Sequence, residues 1–131
     1  MEAGGVRALH LGDTMCHGYW WRIAQRIGPF DVVFVPVNGP VIGFPRRRPR
    51  SPFPVALTPE QAAVAASILG ARLAIPIHAD GYEIAGVYEP APDAARRFAA
   101  EAAAREIDVR VPVLGEEIEV PRLVTPAGSA G

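Results

Sequence analysis

The chain contains no lysine: all thirteen of its basic residues are arginine, set against fourteen acidic residues, for a formal net charge of −1. Phosphate neutralisation supplies most of the affinity of nucleic-acid binders, and a sequence pI near 6.3 offers no basic surplus for it. No nucleic-acid partner is expected. Cys16 is the only cysteine, which excludes an intrachain disulfide. No stretch approaches the roughly 18 apolar residues of a membrane span, and Met1-Glu2-Ala3-Gly4-Gly5 lacks a charged-then-apolar leader pattern. The expectation is a cytoplasmic protein with no membrane partner.

What is present suits a modest core. Half of the 131 residues are apolar, many of them alanine, and the length allows one domain or part of a larger one. Val6 to Leu11 reads as a strand running into Gly12-Asp13, and Tyr19 to Ile27 as a helix stopped by Gly28-Pro29. Asp31 to Val37 is nearly all apolar, the pattern of a strand buried on both faces, with Pro36 pointing to an edge position or an irregularity. Residues 38–56 carry five prolines and Arg46, Arg47, Arg48 and Arg50 without any period, and read as a long loop. Thr58-Pro59-Glu60-Gln61 is a strong helix start, with a cap, a first-turn proline and the glutamine of a capping box. That helix runs to Leu69. Arg72 to Ile77 is the next strand, Asp93 to Ile107 the last helix, and Asp108 to Val113 and Glu117 to Val120 two closing strands. Residues 122–131 read as a flexible tail, leaving 1–121 as the structured unit. Alternating strands and helices give an α/β fold.

Chemistry is concentrated where strands end. Asp13 follows the first strand and His78 terminates the Ile75-Pro76-Ile77 run. Open α/β sheets gather ligands at such positions because a rigid strand aims the residue beyond the sheet edge. Carboxylate and imidazole are both ligands for zinc and related metals. By itself an Asp after glycine is more often a turn residue, and a His after a strand more often a hydrogen-bonded structural one. His17 is a candidate for contacting substrate. His10 has the wrong strand parity to join Asp13, and Cys16 reads as a lone loop thiol. One of Tyr19, Trp20 and Trp21 could line a cleft, since three adjacent aromatics cannot share one helix face. Arg46, Arg47 and Arg48 could hold an anionic substrate through their planar forks, or simply form a solvated loop.

The order of segments adds to this. His10-Leu11-Gly12-Asp13-Thr14, then Pro36-Val37-Asn38-Gly39, then Leu57-Thr58-Pro59-Glu60-Gln61-Ala62, then Ile75-Pro76-Ile77-His78 resembles the second half of metallo-β-lactamase superfamily hydrolases. The branch that includes ascorbate-6-phosphate lactonase-like proteins is the nearest in appearance. The resemblance spans roughly Gly4 to Val120. It implies half of an αββα sandwich, one mixed sheet with helices on its outer face. It implies that Asp13 is catalytic and bridges two metals, that His78 is a terminal metal ligand, and that the cofactor is a divalent metal such as zinc, manganese or iron. The implied substrate is a small anionic ester, lactone or phosphoester. The family's His-x-His-x-Asp-His motif has no counterpart, because no two of His10, His17 and His78 are separated by one residue. The chain on its own is therefore expected to be an inactive fragment of such a hydrolase. The alternative is a non-catalytic half-domain or partner subunit that docks onto a complementary half. With the first half missing, the inner sheet face is expected to stand open, to be covered by that pairing or by a homo-oligomer.

Overall fold

In a computed structural model that describes residues 1–79 and 81–121, the chain forms one mixed sheet with three helices against one side. The tail expected over residues 122–131 lies outside the described residues. Strands β1 (Glu2–Ala3), β2 (Val6–His10) and β3 (Phe30–Pro36) are joined by helix α1 (Trp20–Ile27) between the second and third. The short β4 (Val41–Ile42) precedes α2 (Pro59–Ile68) and β5 (Ala71–Ile77). The last elements are β6 (Tyr88–Glu89), α3 (Ala94–Ala103) and β7 (Asp108–Val109). The main sheet has the order β1-β2-β3-β5-β7, with β1 antiparallel to β2 and every other pair parallel. Apart from a small two-stranded second sheet, the expected α/β layout of one mixed sheet with helices on one side is what the chain adopts.

Alternation along β3 divides the molecule into two apolar layers. Val33, Val35 and Val37 face the helices, where Trp20, Leu57, Leu69 and Phe98 complete the larger core. Val32 and Phe34 face the other way, beside Leu73 and Ile75 of β5. Helix α2 starts as its sequence prescribes. Thr58 Oγ1 accepts from the Gln61 backbone N–H (3.2 Å), and Gln61 Oε1 accepts from the Thr58 N–H (3.1 Å). Its alanines Ala62, Ala63, Ala65 and Ala66 are all buried, so α2 lies close against the sheet.

Several expectations need correction. Pro36 does not mark an edge: β3 is central, between β2 and β5. The proline is tolerated as the last residue of the strand, and the following Val37 N–H resumes bonding to Ile77 O. Residues 38–56 are not wholly loop, because Val41–Ile42 pairs with Tyr88–Glu89 in a small second sheet. Helix α3 ends at Ala103, not Ile107, with Glu106 in the left-handed region at φ 59°. Of the two closing strands only Asp108–Val109 forms. Residues 117–120 make no strand but lay Ile118 and Val120 over Val32, Leu73 and Ile75. The inner sheet face is thus closed at its centre by the chain's own segment, contrary to the open face expected. Val6, Ala8 and Phe34 around it are only partly buried.

Two substitutions test this packing. Phe98 is fully buried between α3 and the core, and Phe98→Ala should cost roughly 3–5 kcal/mol in a denaturant titration. Arg97 holds Glu60 by Nε–Oε1 contact at 2.9 Å, tying α3 to the first turn of α2. Burial tends to raise the Glu60 pKa, but its backbone hydrogen bond and the Arg97 guanidinium prevail and hold it below the ordinary 4.5. A depressed carboxylate stabilises the fold above its unfolded pKa and loses that contribution as pH falls through the folded value. The pair is partly exposed, so Glu60→Gln should cost no more than about 1 kcal/mol at pH 7. Melting curves of the two proteins should converge as pH falls through the lowered Glu60 pKa.

Candidate metal centre

The parallel strands β2, β3 and β5 all end on one side of the sheet, and each delivers one polar residue there. Beyond β2 comes Asp13, beyond β3 Asn38, and directly after β5 His78. Backbone bonds lace these ends together: Leu11 N to Phe34 O, Val37 N to Ile77 O, Leu57 N to Thr14 O, and Gly39 N to Leu57 O. Gly12 turns the chain with φ 60°, a left-handed conformation that glycine adopts at no steric cost. Its surroundings are open, so no close approach needs it. Gly39 is the position that does need a missing side chain, because a Cβ there would stand 2.8 Å from Thr58 Cα.

Asp13 and His78 converge as the sequence predicts. His78 Nδ1 lies 3.0 Å from Asp13 Oδ1. Their side chains are 41% and 85% exposed, so water screens the contact and it serves orientation more than stability. His78 itself has φ 58°, a left-handed conformation in a residue other than glycine. Both groups line a cavity of about 520 Å³ with Asn38, Pro40, Ile42, Val55, Ala56, Gly81, Tyr82 and Tyr88.

Three of these lining residues were not anticipated. Asn38 is buried, its Nδ2 donates to Tyr88 Oη at 2.8 Å, and its Oδ1 has no hydrogen-bond partner among the described residues. An unmatched buried acceptor costs about 1–3 kcal/mol. Tyr82 stacks on Tyr88 with ring centroids 5.2 Å apart. Burial pushes the Tyr88 phenol pKa up, with Tyr82 and the Asp13 carboxylate adding to the rise and the Asn38 bond opposing it. Asn38 could have been found by the strand-end argument that found His78. Nothing in the sequence around Tyr82 and Tyr88 marked them.

The other sequence candidates fall elsewhere. Arg47 lines a neighbouring cavity of about 430 Å³ with Phe44, Pro49, Arg50, Ser51 and Phe53, and this space shares Ile42 and Val55 with the Asp13–His78 cavity. Arg46 and Arg48 are exposed and line neither space. Arg50 donates to Gly86 O at 3.0 Å, fastening the arginine loop to the turn before β6. His17 is not brought to Asp13 and His78. Its ring stacks on Trp20 at 3.7 Å, its Nδ1 accepts from the Tyr19 N–H, and with Cys16, Trp20 and Trp21 it lines a groove between α1 and α2. His10 stacks on Phe34 on the inner sheet face.

The donors fit a divalent metal in kind and in convergence, but not in number. A protein-held zinc needs at least three protein ligands, and among the described residues no group of three or more His, Cys, Asp or Glu is placed to hold a metal. Among the described residues no helix is long and apolar enough to cross a membrane.

Comparison with curated proteins finds no match. Among solved structures, a metallo hydrolase from the hyperthermophilic archaeon Ignicoccus hospitalis superposes with a TM-score of 0.53 at 20% sequence identity. The match covers 80% of this chain and 36% of that one, so this chain spans about a third of its length. At that identity the likeness is one of fold. The beta-lactamase superfamily domain matches over residues 1–79, which include both Asp13 and His78. That is more than half of the chain, and the protein belongs to the beta-lactamase superfamily.

Proposed function

We propose that this chain is part of a metal-dependent hydrolase acting on small anionic esters, lactones or phosphoesters, and that Asp13 and His78 are two of its metal ligands. The observation that carries the reading is the meeting of this carboxylate and imidazole at 3.0 Å on the wall of a substrate-sized cavity. Family membership agrees with it. A divalent ion at such a site supplies an activated water and an acid for the bond attacked. Because two donors do not hold such an ion, the remaining ligands are proposed to come from outside the described residues. The anionic part of the substrate is assigned to Arg47, whose cavity adjoins the first through Ile42 and Val55.

Zinc calorimetry tests the two-donor assignment. The chain should bind zinc weakly, and Asp13→Asn and His78→Ala should each remove what binding there is. A tight stoichiometric site that survives both changes would refute it. Hydrolysis of nitrophenyl esters by the chain alone should stay near the uncatalysed rate.

A second reading is a half-domain that pairs with a complementary half or with another copy. It is favoured by the partly buried ring of Val6, Ala8 and Phe34 around the strap of Ile118 and Val120. It is favoured too by the exposure of Val111, Val113 and Leu114 just before that strap. Sedimentation across a dilution series should then show concentration-dependent association. A compact monomer that binds no hydrophobic dye would count against it.

A further inference from the structure

We infer that the cavity under the arginine loop receives an aromatic ring carrying an oxyanion, and that this is the non-reacting end of the substrate whose labile bond faces Asp13 and His78. The second half of that statement rests on the hydrolase reading; the first rests on the loop's own geometry.

The polar side chains of this cavity are donors. They belong to Arg47, Arg50 and Ser51, and no carboxylate lines the space. Among the described residues neither arginine stands in an ion pair with an acidic side chain. Arg50 donates one N–H to Gly86 O at 3.0 Å, which leaves the rest of its fork open. Glu89, bonded to the Gly86 N–H at 3.0 Å, lines neither cavity. Ser51 Oγ accepts from the Phe53 backbone N–H at 3.3 Å and keeps its own proton to give. Two guanidiniums and a hydroxyl around one space, with no counter-charge, match a ligand that brings the anion itself.

Backbone features hold these groups in place. A Cβ at Gly43 would stand 2.6 Å from Gly86 O and 3.1 Å from Arg50 Cζ. Glycine there lets the guanidinium lie against the chain and reach its acceptor, which makes Gly43 a positioning residue for Arg50. The Arg47 N–H donates to Phe44 O at 3.0 Å, a turn that brings a ring and a guanidinium to the same cavity.

The apolar walls call for a flat body on the anion. Phe44 and Phe53 are 59% and 70% exposed, yet both line the cavity. Neither ring stacks on another among the described residues. A ligand ring covers these faces while its oxyanion meets the arginines. An aliphatic anion would leave the rings wet, and a neutral ring would leave the guanidiniums unmatched. At about 430 Å³ the space has the size of a small-ligand site, and it shares Ile42 and Val55 with the Asp13–His78 cavity. Arginines beside exposed phenylalanines also suit an anionic membrane surface. The concave placement of both rings favours a small ligand.

Heteronuclear NMR of the isotope-labelled full chain, dialysed free of metal, tests this with phenyl phosphate as probe. Methyl phosphate supplies the anion without the ring, and benzyl alcohol the ring without the anion. Phenyl phosphate should saturably shift the Phe44 and Phe53 ring signals and the Arg47 and Arg50 Nε–H signals. Each control should bind about three- to tenfold more weakly, as should phenyl phosphate to Arg50→Gln or Phe53→Ala. Gly43→Ala should lose the preference for phenyl phosphate over benzyl alcohol while still binding the alcohol. Arg46→Gln removes the same charge from the same loop but outside the cavity, and should leave binding unchanged. Equal weakening by Arg46→Gln and Arg50→Gln would overturn the inference, since net charge alone would then explain the affinity. So would equal binding of phenyl and methyl phosphate to the unaltered chain, whether or not the variants fold. Binding to phosphatidylserine vesicles without binding to phenyl phosphate would also overturn it, in favour of a membrane surface. The measurement involves neither metal nor turnover, so its failure leaves Asp13 and His78 as ligand candidates. Failure of zinc binding, in turn, leaves the aryl-anion site standing.

Discussion

The parallel pairing of β3 with β5 is the constraint on which the rest of the molecule depends. It runs from Phe30 opposite Ala71 to Pro36 opposite Ile77, and it determines where both strands stop. Because the two strands finish level, Asn38 and His78 leave the sheet at the same height. Because β2 pairs with the other side of β3 from Ala8 to His10, Asp13 arrives there too. A slip of one residue would turn every side chain to the opposite face. It would send Val33 and Val35 away from the helices and separate His78 from Asp13. The buried alanines of α2 lock the register from outside, since larger residues there would lift the helix from the sheet.

Around this fixed edge the chain builds two adjoining spaces of different character. One holds the carboxylate–imidazole pair together with Asn38 and two tyrosines. The other is made by a proline-rich loop, with arginines and exposed Phe44 and Phe53. Their common wall, Ile42 and Val55, belongs to short segments held by the pairing of β4 with β6 and by the bond from Val55 N to Pro40 O. The sheet positions the carboxylate and the imidazole, while the connections form the walls beside them, a division common in α/β proteins. Nothing in the fold itself chooses among the chemistries such a scaffold can host.

How much of this could be read from residues alone depended on the range of the interaction that decides each feature. The start of helix α2 was legible to the residue because it is governed by contacts between Thr58 and Gln61, three positions apart. The strand ends at Asp13 and His78 were legible because long apolar runs stop there. Pro36 misled, since local chemistry argues against a central strand and only the position of Ile77 across the sheet shows why the last residue is exempt. The pairing of Val41 with Glu89 and of Ile42 with Tyr88 joins segments far apart in the chain, and two-residue strands carry no period to detect. For the same reason Tyr88 could not be placed beside Asn38. The run at 117–120 has strand-like residues, yet it serves as a cover, because Ile118 and Val120 find their burial on a sheet face and not in a ladder.

The left-handed backbone at His78 sets two interests of the chain against each other. A chain under no demand except to fold would place glycine there, where the conformation is free of steric cost. An L-residue in that region gives up about 1–3 kcal/mol, a sizeable share of the stability of a small domain. The cost falls on folding and the benefit on the edge of the cavity, where the imidazole meets Asp13. Under the ligand role proposed for His78, position 78 is a place where stability and chemistry trade off within a single residue. It follows that glycine there is no neutral control: it removes the imidazole and relaxes the backbone together, and a more stable protein would be the mark of what the histidine had been holding in reserve.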